Sequence, residues 1–182
     1  MGFELTADVA RQLLDYDPKT GVFRWKVRTV DMFAADATKS AEANCLAWNS
    51  RHAGNSAGTS VKGYVVISIF GRRYLAHRLA WLLTHGEWPS SDLDHIDLDK
   101  SCNRISNLRK ATPSQNQANK RARDSASGFK GIYWDTRKRK WRAQIRKDKK
   151  RYHLGLFDAP KDAHLAYQKA AELLHGEFAR SS

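Results

Sequence analysis

The sequence predicts an α+β protein made of two modules joined by a short polar link. Three observations point there. Near the C-terminus the runs GIYW (131–134), KWRAQIR (140–146) and RYHLGLF (151–157) alternate like strands, separated by the polar turns DTRKR and KDKK. A helical period follows at 160–175, with Ala163, Leu165, Ala166, Tyr167, Ala170, Leu173 and Leu174 apolar, so a three-stranded antiparallel sheet packed on one helix is expected. Upstream, short helix and strand signals mix without repeats, and RARDSASG (121–128) separates the two regions. The predicted divisions are 1–59 (a helix, a strand and an irregular segment), 60–120, the link 121–128 and 129–182.

Taken in order, Thr6 caps a short helix with Val9, Leu13 and Leu14 on one face, stopped by DPKTG at 17–21. VFRW (22–25) alternates as a strand leaving that turn, and residues 29–60 show no firm period, predicting a long loop or irregular cover. GYVVISIF (63–70) and RYLA (73–76) form a hairpin about a Gly-Arg turn, and His77–His85 reads as a helix ended by Gly86 and Pro89. NLRKA (107–111) is a short strand. In TPSQNQANKRA, Thr112 caps a helix, Pro113 suits its first position and Gln115 completes a capping box, placing Asn116, Asn119 and Lys120 on one face. In the sheet, Trp141, Ala143 and Ile145 face the helix while Arg142, Gln144 and Arg146 face outward.

Charge narrows the partners. The 182 residues carry 32 Lys and Arg against 19 Asp and Glu, a net +13. Residues 121–182 hold 16 basic and 7 acidic side chains, so most of the positive field lies there. Nucleic acid is the first partner such a balance suggests, and an acidic membrane surface the second. Cys45 and Cys102 are the only cysteines, too few for a disulfide framework or a four-Cys zinc site. MGFELTADVARQ does not read as a signal peptide and no run of about 18 apolar residues occurs, so a protein of a reducing cytoplasm, with no membrane span, is expected.

The chemistry concentrates in LDHIDLDKSCNRISNLRKATPSQNQAN, residues 93–119. Asp94 and His95 set a carboxylate beside an imidazole, with amides following at Asn107 and Asn116. Phosphodiester hydrolysis needs a base to activate water and a hard cation to hold the phosphate. A mostly neutral imidazole suits the first need and hard oxygen donors the second. Asp97 and Asp99 read as loop or solvent residues. His77 reads as a packing or capping group, with a phosphate contact as the alternative. His52, His85, His164 and His175 show no partner pattern, and Trp81, Trp134, Trp141 and Phe157 read first as core.

The 77–119 region, with HR, DHIDLD, NR, NLR, T and N in order, resembles the phage and homing-endonuclease branch of the HNH nucleases; the match covers roughly 60–120. The opening LTADVARQLLDYDPKTGVFRW is similar to the leader of many phage members. The resemblance implies a ββα-metal unit clasping one divalent ion, with His95 as general base. Asp94 and Asn116 would hold the metal, and Asn107 would brace the loop that aims His95. Asn116 stands where the family name has its final His, which implies a harder ion, Mg²⁺ or alternatively Mn²⁺, and no zinc. One active site per unit implies that a monomer, the favoured state, would nick, whereas a double-strand break would need dimerisation or two events. The implied setting is a phage or prophage protein in the cytoplasm of a bacterial host.

FKGIYW, KWRAQIR, HLGLFDAPKDAHLAYQKAA and HGEFA, within 129–180, resemble the Apetala/ethylene-response-factor DNA-binding domain. That family lays its sheet in the major groove of double-stranded DNA. Matching positions imply Lys130, Tyr133, Arg142, Gln144, Arg146, Arg151 and His153 as contacts. Lys130 and Tyr133 replace arginines of the plant pattern and His153 a tryptophan, so the target sequence does not carry over. Arg142 and Arg146 suit bidentate contacts to guanine, whereas lysines more often grip phosphate. The expected function is a metal-dependent DNA endonuclease with an attached sequence-reading domain. The competing expectation is a catalytically inactive DNA-binding regulator, and RNA binding is disfavoured because no aromatic stacking platform is evident.

Overall fold

The computed structural model describes residues 5–120 and 127–180, so most of the expected link, 121–126, lies outside the described residues. The chain divides into two compact units, residues 1–110 and 111–182.

The first unit opens with α1 (Ala7–Leu13), whose Thr6 hydroxyl accepts the Val9 N–H at 3.4 Å. The helix stops one residue earlier than its apolar face suggests. Leu14 begins β1 (Leu14–Tyr16), which pairs antiparallel with β2 (Phe23–Trp25), and both Leu13 and Leu14 stay buried. Within the span expected to be irregular lies α2 (Ala41–His52), capped by Ser40. This helix buries only Cys45, so it leaves no apolar period in the sequence. It is held instead by Asn49, whose amide group accepts from the Arg28 N–H at 2.9 Å and donates to the Arg28 carbonyl at 2.8 Å.

β3 (Thr59–Val61), β4 (Tyr64–Ile69) and β5 (Arg72–Leu75) form an antiparallel meander. The β4–β5 turn falls on Phe70 and Gly71, both with positive φ, one residue before the expected Gly-Arg pair. α3 (Ala76–His85) buries Ala76, His77, Leu79, Ala80 and Leu82, and ends at a left-handed Gly86. The core joins Leu5, Leu13, Leu14, Phe23, Ile67, Ile69, Leu79, Leu82 and Leu108. β6 (Asp92–His95) and β7 (Leu108–Ala111) form a separate two-stranded sheet.

The second unit begins with α4 (Pro113–Asn119), whose capping box is complete: Thr112 accepts from Gln115 N–H, and the Gln115 side chain accepts from Thr112 N–H. β8 (Ile132–Asp135), β9 (Lys140–Lys147) and β10 (Lys150–Phe157) form an antiparallel sheet in the order β10-β9-β8. α5 (Pro160–His175) packs Ala163, Tyr167 and Ala171 onto Ile132, Ala143 and Ile145. Gly131 sits at φ +74° with the Tyr167 ring and the Gln144 carbonyl where a Cβ would stand, so this strand entrance requires glycine.

The α+β class is as expected. β6, β7 and α4 follow in the order of a ββα unit, and the C-terminal sheet lies on one helix. Among the described residues no helix is long and apolar enough to cross a membrane.

Candidate active site and nucleic-acid interface

β6 carries Leu93, Asp94 and His95 into burial, and His95 is only 5% exposed. Its ring meets His77 edge to face, with centroids 4.9 Å apart, and Tyr64 lies 6.1 Å away. His77 comes from the first turn of α3 and Tyr64 from the start of β4, so three elements converge on one imidazole. The Lys100 ammonium lies 4.8 Å from the Tyr64 ring centre. Burial lowers the proton affinity of His95, opposed by the charges of Asp97, Asp94 and Asp99 and by the Asn103 side chain. His77 is pulled further, to about 4, by burial first and then by the charges of His95 and Arg78. Both rings are therefore neutral at pH 7, and a neutral imidazole is the form that accepts a proton.

Asn107 fastens the loop that follows His95. Its side chain donates to the Asp97 carboxylate at 2.9 Å and to the Cys102 carbonyl at 3.0 Å, and accepts from the Asp97 N–H at 3.1 Å. Its own carbonyl accepts the Ile96 N–H at 2.9 Å. Asp99, exposed on the same loop, accepts from the Ser101 N–H and hydroxyl, bonds that lower its pKa.

Two residues at this site escaped sequence reasoning. Arg109, on β7, reaches Asp94 on the paired strand: Nε and Nη2 lie 3.0 and 2.9 Å from Oδ2, with both side chains largely buried. The motif NLR contains this arginine, but its partner depends on strand pairing. Asn103 is 3% exposed and its side chain bears on the His95 ring. Its carbonyl accepts the Tyr16 hydroxyl at 2.8 Å, and burial pushes that phenol up to about 12. Gly21, at φ +77°, lets the β1–β2 turn press on the same loop, since a Cβ there would stand 2.5 Å from the Arg104 nitrogen. The N-terminal hairpin thus buttresses the loop behind His95.

In the second unit, Asn116 lies mid-way along α4, half-buried. Of the seven expected DNA contacts, six share one face of the C-terminal sheet. Tyr133 pairs with Arg142, Gln144 with His153 and Arg146 with Arg151, and directly paired residues point the same way. Tyr133, Arg146, Arg151 and His153 are exposed and the other two partly so. Asp135 reaches Arg142 at 3.8 Å, an exposed and weak pairing that leaves the face strongly cationic. Lys130 departs from this set. Its ammonium donates to the carbonyls of Gln117, Ala118 and Lys120.

Comparison with known proteins finds two families in succession along the chain, the first of them running across the boundary at 110–111. The HNH endonuclease family matches residues 74–118, and the AP2 domain family matches residues 127–177. Protein 3.8 of Escherichia phage T7 is 31% identical over 106 residues, covering 57% of this chain and 87% of that protein. The chain belongs to the HNH endonuclease family. The HNH match holds β6, β7 and nearly all of α4, and the AP2 match holds the sheet and α5, so a nuclease-family region precedes a DNA-binding domain. An HNH endonuclease from Acanthamoeba polyphaga mimivirus, L560, is 33% identical over 118 residues, covering 64% of this chain and 61% of that protein. No solved structure matches significantly.

HNH nucleases generally use a divalent metal. Among the described residues no group of three or more His, Cys, Asp or Glu is placed to hold one. Asp94 in the first unit offers a carboxylate, and Asn116 in the second a carboxamide. Both supply hard oxygen, and few protein ligands suit an ion that keeps several waters and takes its remaining ligands from substrate phosphate.

Proposed function

We propose that this protein hydrolyses phosphodiester bonds of double-stranded DNA, with His95 as general base and one divalent cation, Mg²⁺ or Mn²⁺, held by Asp94 and Asn116. The observation that carries the reading is His95 itself, a buried neutral imidazole beside a buried carboxylate at the end of β6, followed by a loop tied down by Asn107. His95 takes a proton from water as its oxygen attacks phosphorus. One P–O bond then breaks, and the departing oxygen is protonated from solvent. Asn107 orients without touching substrate, and Arg109 holds the Asp94 carboxylate in one direction. A bound cation would offset the charge that develops on the phosphate.

One such site cuts one strand, so a monomer nicks. The nuclease module is taken as residues 60–120 and the DNA-binding module as 129–182. Tyr133, Arg142, Gln144, Arg146, Arg151 and His153 are proposed to meet the groove. Supercoiled plasmid incubated with Mg²⁺, with EDTA, and with His95→Ala tests the reading. Open-circle DNA that requires Mg²⁺ and is lost in the variant is expected. Equal cleavage by the variant removes His95 as the base, and binding to cognate DNA without cleavage favours a regulator.

A further inference from the structure

Lys130 occupies a position that matches a DNA contact, yet its side chain points elsewhere in its unit. The ammonium sits among the last carbonyls of α4, 2.7 Å from the Lys120 oxygen and 3.4 Å from that of Gln117, and it approaches the Ala118 oxygen most closely. These groups need such a partner. The final turn of α4 contains no basic residue, and the helix ends in an extended Lys120 rather than a left-handed glycine. The terminal carbonyls of a helix carry partial negative charge that attracts a cation, and among the described residues the Lys130 ammonium meets them. Burial brings the Lys130 pKa down to about 8, with Arg180 and Lys120 adding repulsion. An ammonium settles against cationic neighbours only where several oxygens solvate it.

Two further contacts hold the same helix. The Ser114 hydroxyl, in its first turn, accepts the Asp148 N–H of the β9–β10 turn at 3.0 Å. Ala118, with Ala111, is buried against Phe178 beyond α5. The sheet–helix domain thus grips α4 at its first turn, its buried side and its C-terminal end, and Asn116 lies between these points.

We propose that Lys130 is a positioning residue for Asn116: the DNA-binding domain clamps the helix that carries this proposed metal ligand. The inference rests on Asn116 serving as a ligand. Lys130 then takes no part in reading DNA, and the last helix of the HNH match is held within the second unit by the sheet–helix domain.

The test compares full-length Lys130→Met, which keeps the stem and loses the donors, with Lys130→Arg, which keeps a cation. Hydrogen exchange over 113–120, Mn²⁺ affinity in a His95→Ala background, cleavage rate and DNA affinity are read together. Lys130→Met is expected to speed exchange at the end of α4 and to weaken Mn²⁺ binding and cleavage by about 10–100-fold, the usual effect of losing a ligand's support. DNA affinity should stay within about twofold, and Lys130→Arg should recover part of the loss. Should Lys130→Met prevent folding, Ser114→Ala reports on the clamp from its other end. Weakened DNA binding with unchanged α4 exchange would overturn the proposal and return Lys130 to the groove. Faster exchange with unchanged Mn²⁺ binding and cleavage would overturn the positioning role. Wild-type cleavage and Mn²⁺ affinity in Asn116→Ala would instead remove Asn116 as a ligand, while the exchange data still report the clamp.

Discussion

His95 gains its chemical character from what surrounds it. Because burial lowers its proton affinity, the imidazole is neutral over a wider range than a free histidine. Single-turnover cleavage should therefore rise with pH through a step below about 6.5 and be flat by pH 7. A step above pH 7 would assign the base elsewhere. His95→Ala should lower the rate by about 10²–10⁴-fold and leave DNA affinity unchanged, as read by gel shift beside cleavage. His77 bears on stability. Its pKa near 4 in the folded chain lies below the value of 6.5 for a free side chain, so the unfolded chain binds the extra proton between the two. The stability it contributes is complete above pH 6.5 and is lost as the pH falls towards 4. In thermal melts across that window, His77→Gln should flatten the acid loss, and an unchanged slope would contradict the assignment. Asp94 and His95 stand out in the sequence as a carboxylate beside an imidazole, and the roles proposed for them come from the HNH resemblance. Arg109 and Asn103 do not stand out, because each acts through a neighbour that only strand pairing and loop closure supply.

At the scale of the element, local chemistry was legible and absolute packing was not. The Thr112–Gln115 capping box, the Thr6 cap and the Gly86 stop are written in adjacent residues and recur in the structure. α2 was hidden because it buries one side chain and is held through Asn49 to the distant Arg28 backbone. β1 was masked because Leu14 continues the apolar face of α1 while its backbone is already paired with Trp25. The β1–β2 turn has consequences beyond its own strands. Gly21→Ala should destabilise the first unit by more than about 1 kcal/mol, since alanine is strained at positive φ and meets the 103–104 backbone. Tyr16→Phe, which deletes the bond to the Asn103 carbonyl, should cost about 0.5–1.5 kcal/mol in urea titration. Both should also slow cleavage by loosening the loop behind His95. A full rate in a demonstrably destabilised variant would separate that hairpin from the site.

For the molecule as a whole, binding should be governed by charge. The six aligned residues of the C-terminal sheet and a net charge of +13 predict DNA affinity that falls steeply with salt. If Arg146 and Arg151 each contact a phosphate, replacing both with alanine should reduce the slope of log K against log salt by about 1.8. An unchanged slope would remove both arginines as phosphate contacts. The residues alone determined the α+β class, the sheet on its helix and the cationic face, because period, capping and charge are local properties or sums along the chain. Tertiary structure decided the rest. It turned His77 onto His95, paired Arg109 with Asp94 and set Asn103 behind the imidazole. It also drew Lys130 from the sheet face to the end of α4. In each case the outcome depends on which buried charge or unpaired carbonyl a distant side chain can reach, and that distance exists only once the chain has folded.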